Sequence, residues 1–157
     1  MPLKITIIAV GKPKNTGLST ALAPLEKKLK HYAQVQMVFT KDVRRSKHSA
    51  QSKADEAKLI EARIPSDAYL VALDERGKLQ STQQMVEWWS TLERQCVGHV
   101  AFVIGGPDGL APSIVQKADR LLALSPLTFT HEMAHFILTE QLYRILSFRA
   151  GHPYHRM

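Results

Sequence analysis

Phe102-Val103-Ile104-Gly105-Gly106-Pro107-Asp108-Gly109-Leu110 is the most informative stretch of the chain. An apolar strand runs straight into three glycines and a proline, after which a helical pattern resumes. Glycine lets another molecule approach the backbone with no Cβ in the way. A bend of this kind at the C-terminal end of a buried strand is where open α/β sheets place their ligands. Folds that read phosphates through such a loop put it after their first strand, and here the first strand leads into Gly11-Lys12-Pro13. No Gly-Lys-Ser/Thr follows Gly109, which excludes a P-loop, and Gly105-Gly106-x-x-Gly109 lacks the dinucleotide-binding spacing. A tight strand-to-helix turn with no ligand accounts for the same residues, so the loop alone leaves function open.

On either side of this stretch, apolar periodicity alternates between strand and helix. Residues 3–10 read as a buried strand, 18–32 as a helix and 35–40 as a short strand, followed by a polar, basic loop over 41–49. A helix over 50–63 ends at Pro65, and a strand over 68–73 breaks at Asp74-Glu75-Arg76-Gly77. Ser81 is placed to cap a helix running to 95, 100–104 is the strand of the opening stretch, and Pro112 suits the first turn of a short helix. A strand over 121–124 and a long helix over 131–149 complete the pattern. Such alternation predicts an α/β fold, a mostly parallel sheet flanked by helices, in one domain spanning 1–157.

Composition narrows the function classes. No apolar run approaches the roughly 18 residues that span a bilayer, and the single cysteine, Cys96, forms no internal disulfide; a cytoplasmic protein is expected. The net charge of +7 is one-sided. Residues 1–53 carry eleven Lys and Arg against Glu26 and Asp42, a balance of +9, whereas 54–157 carry ten against twelve acids, a balance of −2. The basic residues gather at Lys27, Lys28, Lys30 and His31, and again from Lys41 through Arg44, Arg45, Lys47 and His48 to Lys53. A one-sided cationic field fits a polyanion, with nucleic acid first; a solvated surface is the plainer alternative.

Four further features bear on chemistry. His131-Glu132-Met133-Ala134-His135 spells H-E-x-x-H on a helix, but Leu138 and Gln141 stand where the longer zinc motif has Gly and His, and no metal is expected. Leu124-Ser125-Pro126-Leu127-Thr128-Phe129 joins the last strand to the last helix and offers backbone groups among apolar side chains, which suits an adenine ring or a buried connection equally. Arg144 follows Glu140 by one helical turn; an ion pair or a substrate contact explains it. His152, Tyr154, His155 and Arg156 cluster proton transfer, base stacking and anion binding in the final residues.

Taken in order, the Phe102–Leu110 loop, Leu73 to Lys78, the Leu124–Phe129 connection, Glu140-Gln141-Leu142-Tyr143-Arg144 and the His152–Arg156 ending resemble one family. It is that of the small SPOUT-class methyltransferases acting on a pseudouridine of the large ribosomal RNA, the ribosomal RNA large subunit methyltransferase H family. The resemblance spans nearly the whole chain. It implies S-adenosylmethionine as cofactor, N3 of a pseudouridine in ribosomal RNA as target, whether as free RNA or the whole ribosome, and a homodimer. It also implies a C-terminal trefoil knot holding the cofactor beside the partner subunit. By motif the cofactor residues are Leu73, Gly105, Leu124, Ser125, Pro126, Leu127, Thr128 and Phe129. The catalytic candidates are His155 as proton acceptor, Arg156 and Arg144 for the anionic base, and Tyr154 for stacking. Two positions depart from the pattern, His135 where relatives commonly have Arg and Thr130 where they have Pro.

Overall fold

The computed structural model describes residues 3–14, 16–43, 49–106 and 108–153. Strand β1 (Lys4–Val10) leads to helix α1 (Thr16–Leu29), β2 (Gln34–Thr40), α2 (Ser49–Glu61) and β3 (Tyr69–Leu79). Then come α3 (Thr82–Arg94), β4 (His99–Ile104), α4 (Pro112–Lys117), β5 (Arg120–Ala123) and α5 (His131–Arg149). The strands form one five-stranded sheet in the order β2-β1-β4-β3-β5, and every pairing between them is parallel.

The central strands β1 and β4 are mostly apolar, interrupted in β1 by Thr6, because helices cover both of their faces. Ile5, Ile7, Val100 and Phe102 belong to the core shared with Leu29 of α1, Trp88 and Trp89 of α3, and Leu138 and Leu142 of α5. Ile8 and Val103 point the other way and pack with Ala57 and Ile60 of α2 and Ile114 of α4. Each large aliphatic side chain fully removed from water in these layers contributes about 1.5–3 kcal/mol. The two layers therefore hold the strand ends, and the loops that leave them, on a rigid base.

Local signals set the helix starts. Ser81 Oγ accepts from Gln84 N–H at 3.1 Å while the Gln84 side chain accepts from Ser81 N–H at 2.8 Å, a reciprocal cap for α3. Pro112 opens α4 in its first turn, where a missing N–H costs nothing. Thr130 Oγ1 accepts from Met133 N–H at 3.2 Å, so the departure from Pro at this position leaves α5 capped by a side chain.

One expectation needs correcting. The strand read as ending at Leu73 continues to Leu79, with an excursion inside it. Leu73 and Lys78 both align with Leu122 of β5, so residues 74–77 leave the ladder and the chain returns to it. Gly77 makes this return possible by lying against the β5 backbone. A Cβ there would sit 2.7 Å from Leu121 C and Leu122 N and 2.9 Å from Ala123 N. The polar run does mark a departure, but pairing with a distant strand resumes it, and no local pattern reports that.

Candidate functional site

In the observed strand order the chain leaves β1 toward β2 on one side and leaves β4 toward β5 on the other. A crevice opens beyond the C-terminal ends of strands that diverge in this way. A cleft of about 1340 Å³ lies there, bounded by the loops after β4 and β5, the 74–77 excursion and the start of α5. That is ample for a cofactor-sized ligand.

Seven of the eight residues expected at a cofactor line this cleft: Leu73, Gly105, Leu124, Ser125, Leu127, Thr128 and Phe129. Pro126, the eighth, is exposed and does not line it. The 124–129 segment lies outside helix and strand, and Ser125 Oγ takes up Leu127 N–H at 3.0 Å. Leu127 is 71% exposed, a large apolar side chain at the cleft wall. Leu73, Leu124 and Phe129 supply apolar surface around peptide groups that no ladder uses, a lining that suits a flat heteroaromatic ring with polar edges.

The glycine loop is built differently from the sequence expectation. A Cβ on Gly105 would meet Gly109 C at 2.9 Å and the Leu110 side chain at 3.0 Å, so loop closure itself demands glycine there. Gly109 N–H donates to Gly106 O at 3.0 Å and closes the turn. Gly109 adopts φ +77° with nothing within 4 Å of where a Cβ would stand, and it is here that the backbone faces open space.

Charged groups missed in the sequence also face the cleft. Asp74 accepts from Arg76 Nε and Nη2 at 2.9 and 2.8 Å and from the Arg76 backbone N–H at 2.8 Å. The hydrogen bonds from the Arg76 side chain hold the Asp74 carboxyl below the usual carboxylate range, against the opposing effect of burial. Lys14 and Lys53 line the cleft as well. The cluster Asp74-Glu75-Arg76, read as the break that ends a strand, was the available signal: a charged run directly following a buried strand at the sheet end where ligands bind.

The H-E-x-x-H residues are otherwise engaged. Glu132 Oε1 accepts from Lys14 N–H at 3.0 Å, tying the segment after β1 to the start of α5. His135 is 3% exposed, with Nε2 3.3 Å from Met37 Sδ and its ring 5.8 Å from that of Phe39. Burial, helped by the charge of His131, depresses its pKa to about 4, so it is neutral at pH 7. Among the described residues no group of three His, Cys, Asp or Glu is arranged to hold a metal. Arg144 is not brought to the cleft. It pairs with Glu140 (Nε to Oε1, 3.0 Å) and lies 13 residues after His131, about 20 Å along α5. Tyr154, His155 and Arg156 fall outside the described residues, as do Arg44, Arg45, Lys47 and His48. No described helix is long and apolar enough to cross a membrane.

Comparison with known proteins adds to this geometry. Residues 3–155 match the family model described as "Predicted SPOUT methyltransferase". The chain is 40% identical over 157 residues to the ribosomal RNA large subunit methyltransferase H of Paraburkholderia phymatum, covering 99% of this chain and all of that protein. It is 36% identical over 154 residues to the protein of the same name from Desulfotalea psychrophila, covering 98% of this chain and all of the other. A solved structure named as a probable methyltransferase from Bordetella pertussis shares the fold at 14% identity, with a TM-score of 0.56 over 92% of this chain and 96% of its own.

Proposed function

The chain belongs to the SPOUT methyltransferase family, and from that premise we propose that it moves a methyl group from S-adenosylmethionine to N3 of a pseudouridine in large-subunit ribosomal RNA, on the assembled ribosome. That it is an RNA methyltransferase follows from the family and from relatives matched end to end. The finer reading rests on one observation: seven residues separated by up to 56 positions in sequence line a single cleft at the sheet's ligand-binding edge.

The lining fits the cofactor. Leu73, Leu124 and Phe129 offer apolar walls for adenine, and the 124–129 peptide groups read its polar edge. Asp74, Glu75, Asp108 and Glu132 outnumber Lys14, Lys53 and Arg76 around the cleft, a balance favouring a cationic ligand. Bound there, S-adenosylmethionine supplies an activated methyl group, and the chain contributes position and electrostatics. The N3–H of pseudouridine must lose its proton for the nitrogen to attack. His155 is assigned to take it, since imidazole titrates in the working range. Arg156 and Arg144 are assigned to stabilise the resulting anion, and Tyr154 to stack on the base.

Those groups act across a homodimer. His152 N–H donates to Ser147 O at 2.8 Å, so the chain leaves α5 from its last turn, 16 residues beyond His131 and about 24 Å from it. The three residues from His152 to His155 reach at most about 11 Å. The short reach supports delivery of His155 to the cleft by a second copy, in keeping with the knot-and-dimer architecture that the family resemblance implies.

Mixed subunits test the reading. Thr128→Trp fills the cleft, and a chain lacking residues 154–157 removes the tail groups; each alone should fail to transfer tritiated methyl to ribosomes. Co-refolded together they should recover transfer to one pseudouridine. No recovery despite confirmed mixed dimers would overturn the assignment in trans, and equal methylation of free RNA would overturn the assembled ribosome as substrate.

A further inference from the structure

Helix α2 presents Ser52, Glu56, Ala57 and Ile60 to the protein interior, one stripe at helical spacing. Ala57 and Ile60 pack with Ile8, Val10 and Ile114. Glu56 stands in the middle of that stripe at 7% exposure. A carboxylate among such neighbours costs free energy unless a donor meets it. One donor is in the glycine loop after β4, where Gly106 N–H lies 3.4 Å from Glu56 Oε1. The approach depends on glycine, because a Cβ on Gly106 would sit 3.2 Å from Glu56 Oε2.

A trans peptide points its N–H and C=O in opposite directions. With Gly106 N–H held toward Glu56, the carbonyl of Gly105 is turned away from α2. The other side of the same turn is fixed by Gly109 N–H on Gly106 O at 3.0 Å. Gly105, Gly106 and Gly109 all line the cleft.

We infer that Glu56 is a positioning residue: it locks the Gly105–Gly106 peptide so that the Gly105 carbonyl accepts a hydrogen bond from the cofactor. The inference rests on the reading of this cleft as the S-adenosylmethionine site. Glu56 touches the loop and not the cofactor, so it governs cofactor affinity and leaves the chemical step alone once the site is filled. Glu56→Gln keeps an acceptor oxygen in the same place, whereas Glu56→Ala frees the peptide to turn over.

Calorimetric titration with S-adenosylmethionine should show Glu56→Ala weakened about tenfold, the effect of one hydrogen bond. Glu56→Gln should stay near wild type, and turnover at saturating cofactor should be unchanged in both. Gly106→Ala should weaken binding in the wild-type background and have little further effect in Glu56→Ala, where the clashing carboxylate is gone. Independently of any cofactor, the ¹⁵N-resolved Gly106 amide proton should move upfield in Glu56→Gln and further in Glu56→Ala. Wild-type affinity in a folded Glu56→Ala protein, or additive effects of the two substitutions, would overturn the inference. An unmoved Gly106 amide would overturn it too, even if Glu56→Ala fails to fold. Absence of binding by the wild type would instead refute the cofactor reading, with the amide shift still reporting the contact.

Discussion

Gly77→Ala is the sharpest test of how the cleft is built. The new Cβ would stand 2.7 Å from Leu121 C and Leu122 N and 2.9 Å from Ala123 N, all backbone atoms of a strand locked into the ladder. A side-chain tip could swing aside, but here a strand must move. Overpacking of this kind costs about 1–3 kcal/mol, at the upper end where only backbone can yield. Alanine recovers about 0.4–1 kcal/mol by restricting the unfolded chain. The difference leaves a net loss of about 2 kcal/mol, which for a chain of this size lowers the melting temperature by roughly 4–8 °C. Because Leu124 to Phe129 follow β5 directly, S-adenosylmethionine affinity should fall as well. Thermal denaturation with amide exchange is the assay, and Leu122 and Ala123 should lose protection first. A melting temperature within about 1 °C of wild type, with unchanged exchange at those amides, would refute the close packing of the 74–77 excursion on β5.

Two further outcomes are expected. His135 is held neutral by burial, with a pKa near 4 against an ordinary value of 6.5, so the unfolded chain binds more protons between those values. Its contribution to stability is complete above about pH 6.5 and is lost as pH falls toward 4, by about 3 kcal/mol in all. Denaturant titrations from pH 7 to 4 should show a shallower fall for His135→Leu, and parallel profiles would contradict the assignment. Charge reversal at Arg44, Arg45 and Lys47 should weaken RNA binding and flatten its dependence on salt, while the affinity for S-adenosylmethionine stays unchanged; an unaltered salt slope in a filter-binding titration would remove those residues from the RNA surface.

Much of the fold was legible because its signals are local. The apolar runs in Ile5 to Val10 and Val100 to Ile104, the Ser81 cap and the proline at 112 each report on a few neighbours, and the elements appear within a few residues of expectation. Two cleft-lining segments showed locally as glycine-rich or proline-interrupted exits from buried strands, each equally readable without a ligand, and the family resemblance joined them to Leu73. What escaped depends on partners distant in sequence. Lys78 rejoins the sheet only because Leu122 is there to pair with it. Glu56 looks like an ordinary polar residue of an amphipathic helix until Gly106 is seen against it. The H-E-x-x-H spelling carries no information that Met37, Phe39 and Lys14 would claim two of its members. The basic half is likewise divided by folding. Lys14 and Lys53 reach the cleft, whereas Lys28 lies ten residues, about 15 Å, along α1 from the cleft-lining Leu18, with its ammonium over Tyr143.

The most direct measurement is a calorimetric titration of S-adenosylmethionine into the wild-type protein and into Thr128→Trp, whose new side chain would occupy the cleft at an exposed position. Saturable binding at one site per chain, abolished by Thr128→Trp while its circular dichroism stays that of the wild type, is the expected result. Absence of binding by the wild type, or undiminished binding by a folded Thr128→Trp protein, would contradict the assignment of this cleft to the methyl donor.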